Sequence, residues 1–161
     1  MGFTGRHLGK LLNVVITFSL SLPRDEASVP VVRRLCKSAL DDLGVHETCV
    51  SDIELAVTEA CTNVLKHAHG TPDIYDVNVE FNDHDCSIRV IDSGAGFDAS
   101  QEGREEALVG DESGRGIHLI RALVDNVQFT SRPEDGTVVH LEKRLVLMPN
   151  SILQRLADAS I

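Results

Sequence analysis

The chain is short of positive charge. It carries 15 lysines and arginines against 25 aspartates and glutamates, a formal net charge of -10. That balance argues against a nucleic-acid partner, because binding a polyphosphate needs a basic footprint. It does not exclude one nucleotide, which needs only local backbone amides and a metal ion. Cysteine is sparse too: Cys36, Cys49, Cys61 and Cys86 form no C-x-x-C pair. They read as reduced, mostly buried small hydrophobes in a cytoplasmic protein. No apolar run is long enough to span a bilayer. The stretch Leu11 to Leu22, behind Arg6 and Lys10, superficially resembles a signal peptide, but Asn13, Thr17, Ser19 and Ser21 interrupt it and no A-x-A-like site follows. The imperfect alternation of Val15, Thr17, Ser19 and Ser21 with Ile16, Phe18, Leu20 and Leu22 fits a strand better. No internal repeat is present.

What remains is an ordinary globular composition. The 161 residues are 42% hydrophobic and 25% charged, enough for one domain with a full core. Residues 1–11 read as a flexible N-terminal extension, 12–147 as the functional domain and 148–161 as a C-terminal helical tail. The first strand is expected over about 12–21. A helix follows from Ser28, with Pro30 tolerated in its first turn, a core stripe of Val31, Val32, Leu35, Cys36, Ala39, Leu40 and Leu43, and Gly44 as its stop. Ser51-Asp52-Ile53-Glu54 reads as a capping box that starts a second helix, with Val50 and Leu55 as its hydrophobic staple and Gly70 and Pro72 at its end. Its buried side is Ile53, Ala56, Val57, Ala60, Val64 and Leu65. Tyr75, Val77, Val79 and Phe81 alternate with polar residues, Asn82–Asp85 turns, and Cys86, Ile88 and Val90 alternate again, which predicts an antiparallel hairpin. Residues 98–112 are acidic and lack periodicity. Gly116 is expected to open a third helix, followed by strands near Val127–Thr130 and Thr137–Leu147 around a turn at Glu134-Asp135-Gly136. A short helix at Ser151–Leu156 ends the chain.

Three stretches carry candidate chemistry. Glu59 and Asn63 are four residues apart on the second helix and share a face. They lie close to the buried side, where unpaired polar groups are costly. A carboxamide suits Mg²⁺, which takes few protein oxygens, and a carboxylate one turn earlier can deprotonate a nucleophile near a terminal phosphate. Asp92, at a strand end, can accept from an exocyclic amino group, and Gly94 and Gly96 let the backbone approach a flat base. Gly114-Arg115-Gly116 at a helix start offers free N–H groups to phosphate. Each stretch has a plainer reading. Glu59 and Asn63 alone would be an exposed helical pair, and Asp92-Ser93-Gly94-Ala95-Gly96 a hairpin turn. A dinucleotide motif would need a third glycine and a βαβ unit. His67 and His69 do not share a helix face and lack the further ligands that zinc requires, and His118 is expected to face solvent.

Together, Glu59-x-x-x-Asn63, Asp92-x-Gly94-x-Gly96-Phe97, Gly114-x-Gly116 and Gly136-Thr137 stand in the order of the GHKL ATPase superfamily, which the chain resembles over about 12–147. The run Glu59 to Ala68, with Gly114-Arg115-Gly116-Ile117-His118-Leu119-Ile120, resembles one branch in particular, the bacterial anti-sigma factor serine/threonine kinases of the SpoIIAB and RsbW type. The resemblance implies a Bergerat ATP-binding fold: a two-layer α/β (α+β) sandwich whose mixed, mainly antiparallel sheet has helices on one face. It implies Glu59 as the general base, Asn63 as the Mg²⁺ ligand and Asp92, supported by Thr137, as the adenine reader. Gly94, Gly96 and Phe97 would line the base pocket, and Gly114, Arg115, Gly116 and Ile117 the phosphates. His67 occupies a position where these kinases carry histidine, and residues 98–113 match their ATP lid. The implied activity is ATP- and Mg²⁺-dependent phosphorylation of a STAS-type antagonist by a cytoplasmic homodimer that otherwise sequesters a sigma factor, without direct nucleic-acid or membrane contact. A non-catalytic nucleotide-dependent switch is the alternative. Two departures stand out: His69 replaces a tyrosine common in the family, and the acidic lid offers few cations beyond Arg104 and Arg115.

Overall fold

The clearest alternation in the sequence builds the middle of the sheet. The computed structural model describes residues 14–67, 74–92, 112–132 and 136–159, with backbone alone at 67, 112–115, 131 and 132. Strands β2 (Ile74–Phe81) and β3 (Asp85–Asp92) pair antiparallel, and every second residue of each is buried. Asn82 Oδ1 closes their turn by accepting from the backbone N–H groups of His84 and Asp85, at 2.8 and 2.6 Å. This is the predicted hairpin. Strand β1 (Ile16–Pro23) flanks β2, while β5 (Gly136–Arg144) and β4 (Asn126–Arg132) continue beyond β3 in the order β1-β2-β3-β5-β4. All four pairings are antiparallel. The sheet is therefore antiparallel throughout among the described residues, rather than mixed.

Helices α1 (Ser28–Leu43), α2 (Glu47–His67) and α3 (Glu112–Leu123) cover one face, and α4 (Ile152–Ala159) touches α1. The covered face supplies Tyr75, Val77, Val79, Phe81, Cys86, Ile88 and Val90 to a core shared with Val32, Leu40, Ile53, Val57 and Ile120. Each such aliphatic side chain contributes about 1.5–3 kcal/mol by leaving water. The sheet's other face is polar: Asn78, Glu80, Ser87, Arg89, His140 and Glu142 line a groove of about 850 Å³. Among the described residues, no helix is long and apolar enough to cross a membrane.

Four local expectations change. α2 begins at Glu47, so Ser51 lies inside the helix and caps nothing. The start is set by His46: its backbone N–H donates to the Val146 carbonyl at 2.7 Å and its Nδ1 accepts from the Thr48 N–H at 3.2 Å. Leu55 is exposed rather than part of a staple. In α1 the buried stripe is Val29, Val32, Cys36, Leu40 and Leu43, while Val31 and Leu35 face outward. The helix does stop at Gly44, whose φ of 81° is left-handed and whose missing Cβ makes room for Ser151. β5 ends at Arg144, and Leu147 instead bridges to Val45. The helix ends predicted at Gly70 and Pro72, and the turn at Glu134-Asp135, lie outside the described residues.

Candidate functional site

Two elements far apart in sequence meet over Glu59 and Asn63. Both side chains project from α2 where it packs against α3. α3 starts at Glu112, so Gly116 lies in its second turn and not at its opening as expected. Its amide is therefore not among the free donors of the first turn. Its contribution is the absence of a side chain. A Cβ at Gly116 would lie 2.9 Å from Glu59 Oε2, 3.5 Å from Asn63 Oδ1 and 3.6 Å from Asn63 Nδ2. A side chain there would press on the end of Glu59 and pack against Asn63.

Asn63 is 7% exposed, and its Nδ2 has no hydrogen-bond partner among the described residues. An orphaned buried donor costs about 1–3 kcal/mol. Thr58 and Thr62, its neighbours along the helix, satisfy themselves by donating to the carbonyls one turn back, at 2.7 and 2.8 Å. The helix thus has means to quiet its polar groups, and Asn63 is left out of them. A carboxamide in this state can donate to an anionic oxygen and present its own oxygen to a cation, and the half-buried carboxylate of Glu59 stands one turn away. These residues fit a phosphate with its metal ion. Among the described residues no cluster of three or more His, Cys, Asp or Glu offers an alternative metal site. Cys61, between the pair in sequence, is fully buried, and burial pushes its thiol up to about 12, so it is no nucleophile.

A second group of candidate residues lies at strand ends. Asp92 closes β3, is 2% exposed, and lies opposite Thr137 in the β3–β5 register. Its partner is Arg24, a residue with no role in the sequence reading: the Arg24 guanidinium pairs with Asp92 Oδ1, and both side chains are largely buried. A buried carboxylate at a strand end calls for a cation. Nothing in the sequence indicates which one, because the two residues are joined only by the sheet order. Ile117 is buried beside Gly116, and His118 is exposed. Gly114 and Arg115 lie in the first turn of α3, and His67 ends the described part of α2. Gly94, Gly96, Phe97 and the lid expectation up to residue 111 lie outside the described residues.

Comparison with known proteins gives the family and the fold. The histidine kinase-like ATPase domain family matches residues 22–143. The chain is 32% identical over 103 residues to the anti-sigma F factor of Pasteuria penetrans, covering 60% of this chain and 69% of that protein. It is 28% identical over 137 residues to the serine-protein kinase RsbW of Halalkalibacterium halodurans, covering 80% and 83% respectively. The crystal structure of the RsbU and RsbW domains of a Mycobacterium tuberculosis protein superposes with a TM-score of 0.63 at 20% identity, which shows a shared fold. The match covers 81% of this chain, which spans only 32% of that structure's chain. The chain belongs to the histidine kinase-like ATPase domain family.

Proposed function

We propose that this chain is an ATP-dependent protein serine/threonine kinase of the anti-sigma type, which sequesters a sigma factor and phosphorylates a STAS-type antagonist. The observation that carries the reading is the glycine opening of α3 over Glu59 and the orphaned Asn63. The names of the relatives, an anti-sigma F factor and a serine-protein kinase, support it. In this reading the Asn63 carboxamide oxygen would hold Mg²⁺, and its N–H would donate to a phosphate oxygen. Bound with nucleotide, Mg²⁺ supplies neutralisation of the charge that develops on the transferring group. Glu59 takes the proton from the acceptor hydroxyl as its oxygen bonds to the phosphorus, and the nucleoside diphosphate leaves. Asp92 accepts from the exocyclic amino group of adenine, with Thr137 beside it. Gly94, Gly96 and Phe97 line the base pocket, while His67, Gly114, Arg115, Gly116 and Ile117 complete the phosphate side. The chain works as a homodimer in the cytoplasm, without contacting nucleic acid or membrane directly.

The test is incubation with labelled ATP, Mg²⁺ and candidate antagonist proteins from the same genome. Label on a serine or threonine of one antagonist is the expected result. Absence of any ATP binding by calorimetry would sink the reading. A second reading, a switch that binds nucleotide without transferring it, draws on the acidic stretch Asp98, Glu102, Glu105, Glu106, Asp111 and Glu112, which offers little cationic stabilisation to a transferring phosphoryl group. ATP binding without label on any antagonist would favour it.

A further inference from the structure

Arg24 lies immediately after β1, and Asp92 ends β3, with β2 between them. The guanidinium therefore reaches across about two strand spacings, roughly 9–10 Å. The turn that aims it is tightly held. Asp25 N–H donates to the Pro23 carbonyl at 2.8 Å, and Asp25 Oδ1 accepts from the Ala27 N–H at 2.8 Å. Ser28 Oγ donates to the Asp25 carbonyl and also meets the hydroxyl of the fully buried Tyr75, each at 2.6 Å. Side-chain exposure is only 9% for Arg24 and 3% for Asp92. These contacts fix the backbone between β1 and α1 from which Arg24 projects.

We propose that Arg24 is the positioning residue for base selectivity: by holding Asp92 ionised, it makes that carboxylate an obligate acceptor, matched to a 6-amino purine and mismatched to a 6-oxo purine. The proposal rests on the nucleotide reading above. A buried carboxylate without a cation takes up a proton, because desolvation disfavours the charged form. A carboxylic acid can donate, and would then tolerate the carbonyl of hypoxanthine or guanine. Arginine prevents this, since it is never deprotonated in proteins. A carboxylate's two oxygens offer about four lone-pair sites, so it can accept from more than one donor. Arg24 and an exocyclic amine can therefore both bond to Asp92 without the pair breaking.

The experiment compares ATP and ITP binding by calorimetry in the unmutated protein, Arg24→Gln and Arg24→Lys, with folding checked by circular dichroism. The unmutated protein and Arg24→Lys, which keeps the cation, should prefer ATP, and folded Arg24→Gln should lose at least about tenfold of that preference. A folded Arg24→Gln with the unmutated ATP-to-ITP ratio overturns the proposal, as does an unmutated protein that binds both nucleotides equally. If neither nucleotide binds, the nucleotide reading itself falls and the proposal with it. A measurement without any substitution stands beside these: the Arg24 side-chain N–H resonance should shift when ATP is added and shift less with ITP. Indifference of that resonance to saturating ATP would also overturn it.

Discussion

The two groups of candidate residues, one at a helix crossing and one at strand ends, solve opposite problems with similar residue types. At the helix end, Asn63 is buried with a donor that has no partner among the described residues, and Gly116 places no side chain beside it. At the strand end, Asp92 is buried still deeper, yet it is paired with Arg24 and lies across the ladder from Thr137. One end carries a polar debt that a ligand would settle. The other is settled within the protein. An unpaired polar group buried in the fold costs stability and is kept where something outside the chain completes it. A paired charge contributes a fixed electrostatic character instead, and breaking it is costly because the remaining charge stays buried. The helix end is thus suited to binding and chemistry, and the strand end to recognition.

This contrast can be broken by substitution. The largest effect is expected at Glu59: Glu59→Ala should lower phosphoryl transfer to an antagonist by about 10³-fold, within the range for general bases, while leaving ATP affinity within about threefold. Transfer that survives in a single-turnover assay would place the base elsewhere. Asn63→Ala should weaken Mg-ATP binding by about 100-fold or more and leave the melting temperature unchanged or higher, because it removes an unsatisfied buried group. Unchanged affinity in calorimetry would remove Asn63 from the site. Asp92→Asn should behave in the reverse manner. Its ATP-over-GTP preference should fall about tenfold, and its stability in a urea titration by about 3–5 kcal/mol, because Arg24 is left buried without its anion. If Asn63→Ala destabilises as much as Asp92→Asn does, the two ends do not differ as described. The smallest effect belongs to Gly116→Ala. The added methyl gains roughly 0.5–1 kcal/mol of helix propensity but pushes against the movable end of Glu59, 2.9 Å away. Affinity should drop a few-fold with no loss of melting temperature. A variant that binds as tightly as the unmutated protein would show that the opening is wider than one methyl group.

Much of this was legible in the residues, and what was missed has physical causes. The hairpin of β2 and β3 could be read directly because a buried face with period two leaves no other register. Gly44 was legible as a stop because the αL position favours glycine there. The start of α2 was not, because Ser51-Asp52-Ile53-Glu54 satisfies the local capping pattern while the actual start depends on His46 docking to Val146, a hundred residues away. Local propensity lost there to a tertiary contact. Val31 and Leu35 fall within the expected core stripe yet are exposed, because helical periodicity gives a stripe without its width.

By itself, the sequence determined the α+β class, the hairpin, and the shared face of Glu59 and Asn63. These follow from period two, period 3.6 and turn chemistry, all of which act within a few residues. Only the tertiary structure decided that Gly116 meets that face from inside α3 rather than from its tip, and that Arg24 crosses β2 to reach Asp92. Both contacts join residues more than fifty positions apart. What brings them together is the order of strands and the crossing of helices, and these are set by burial of the whole core rather than by any local signal.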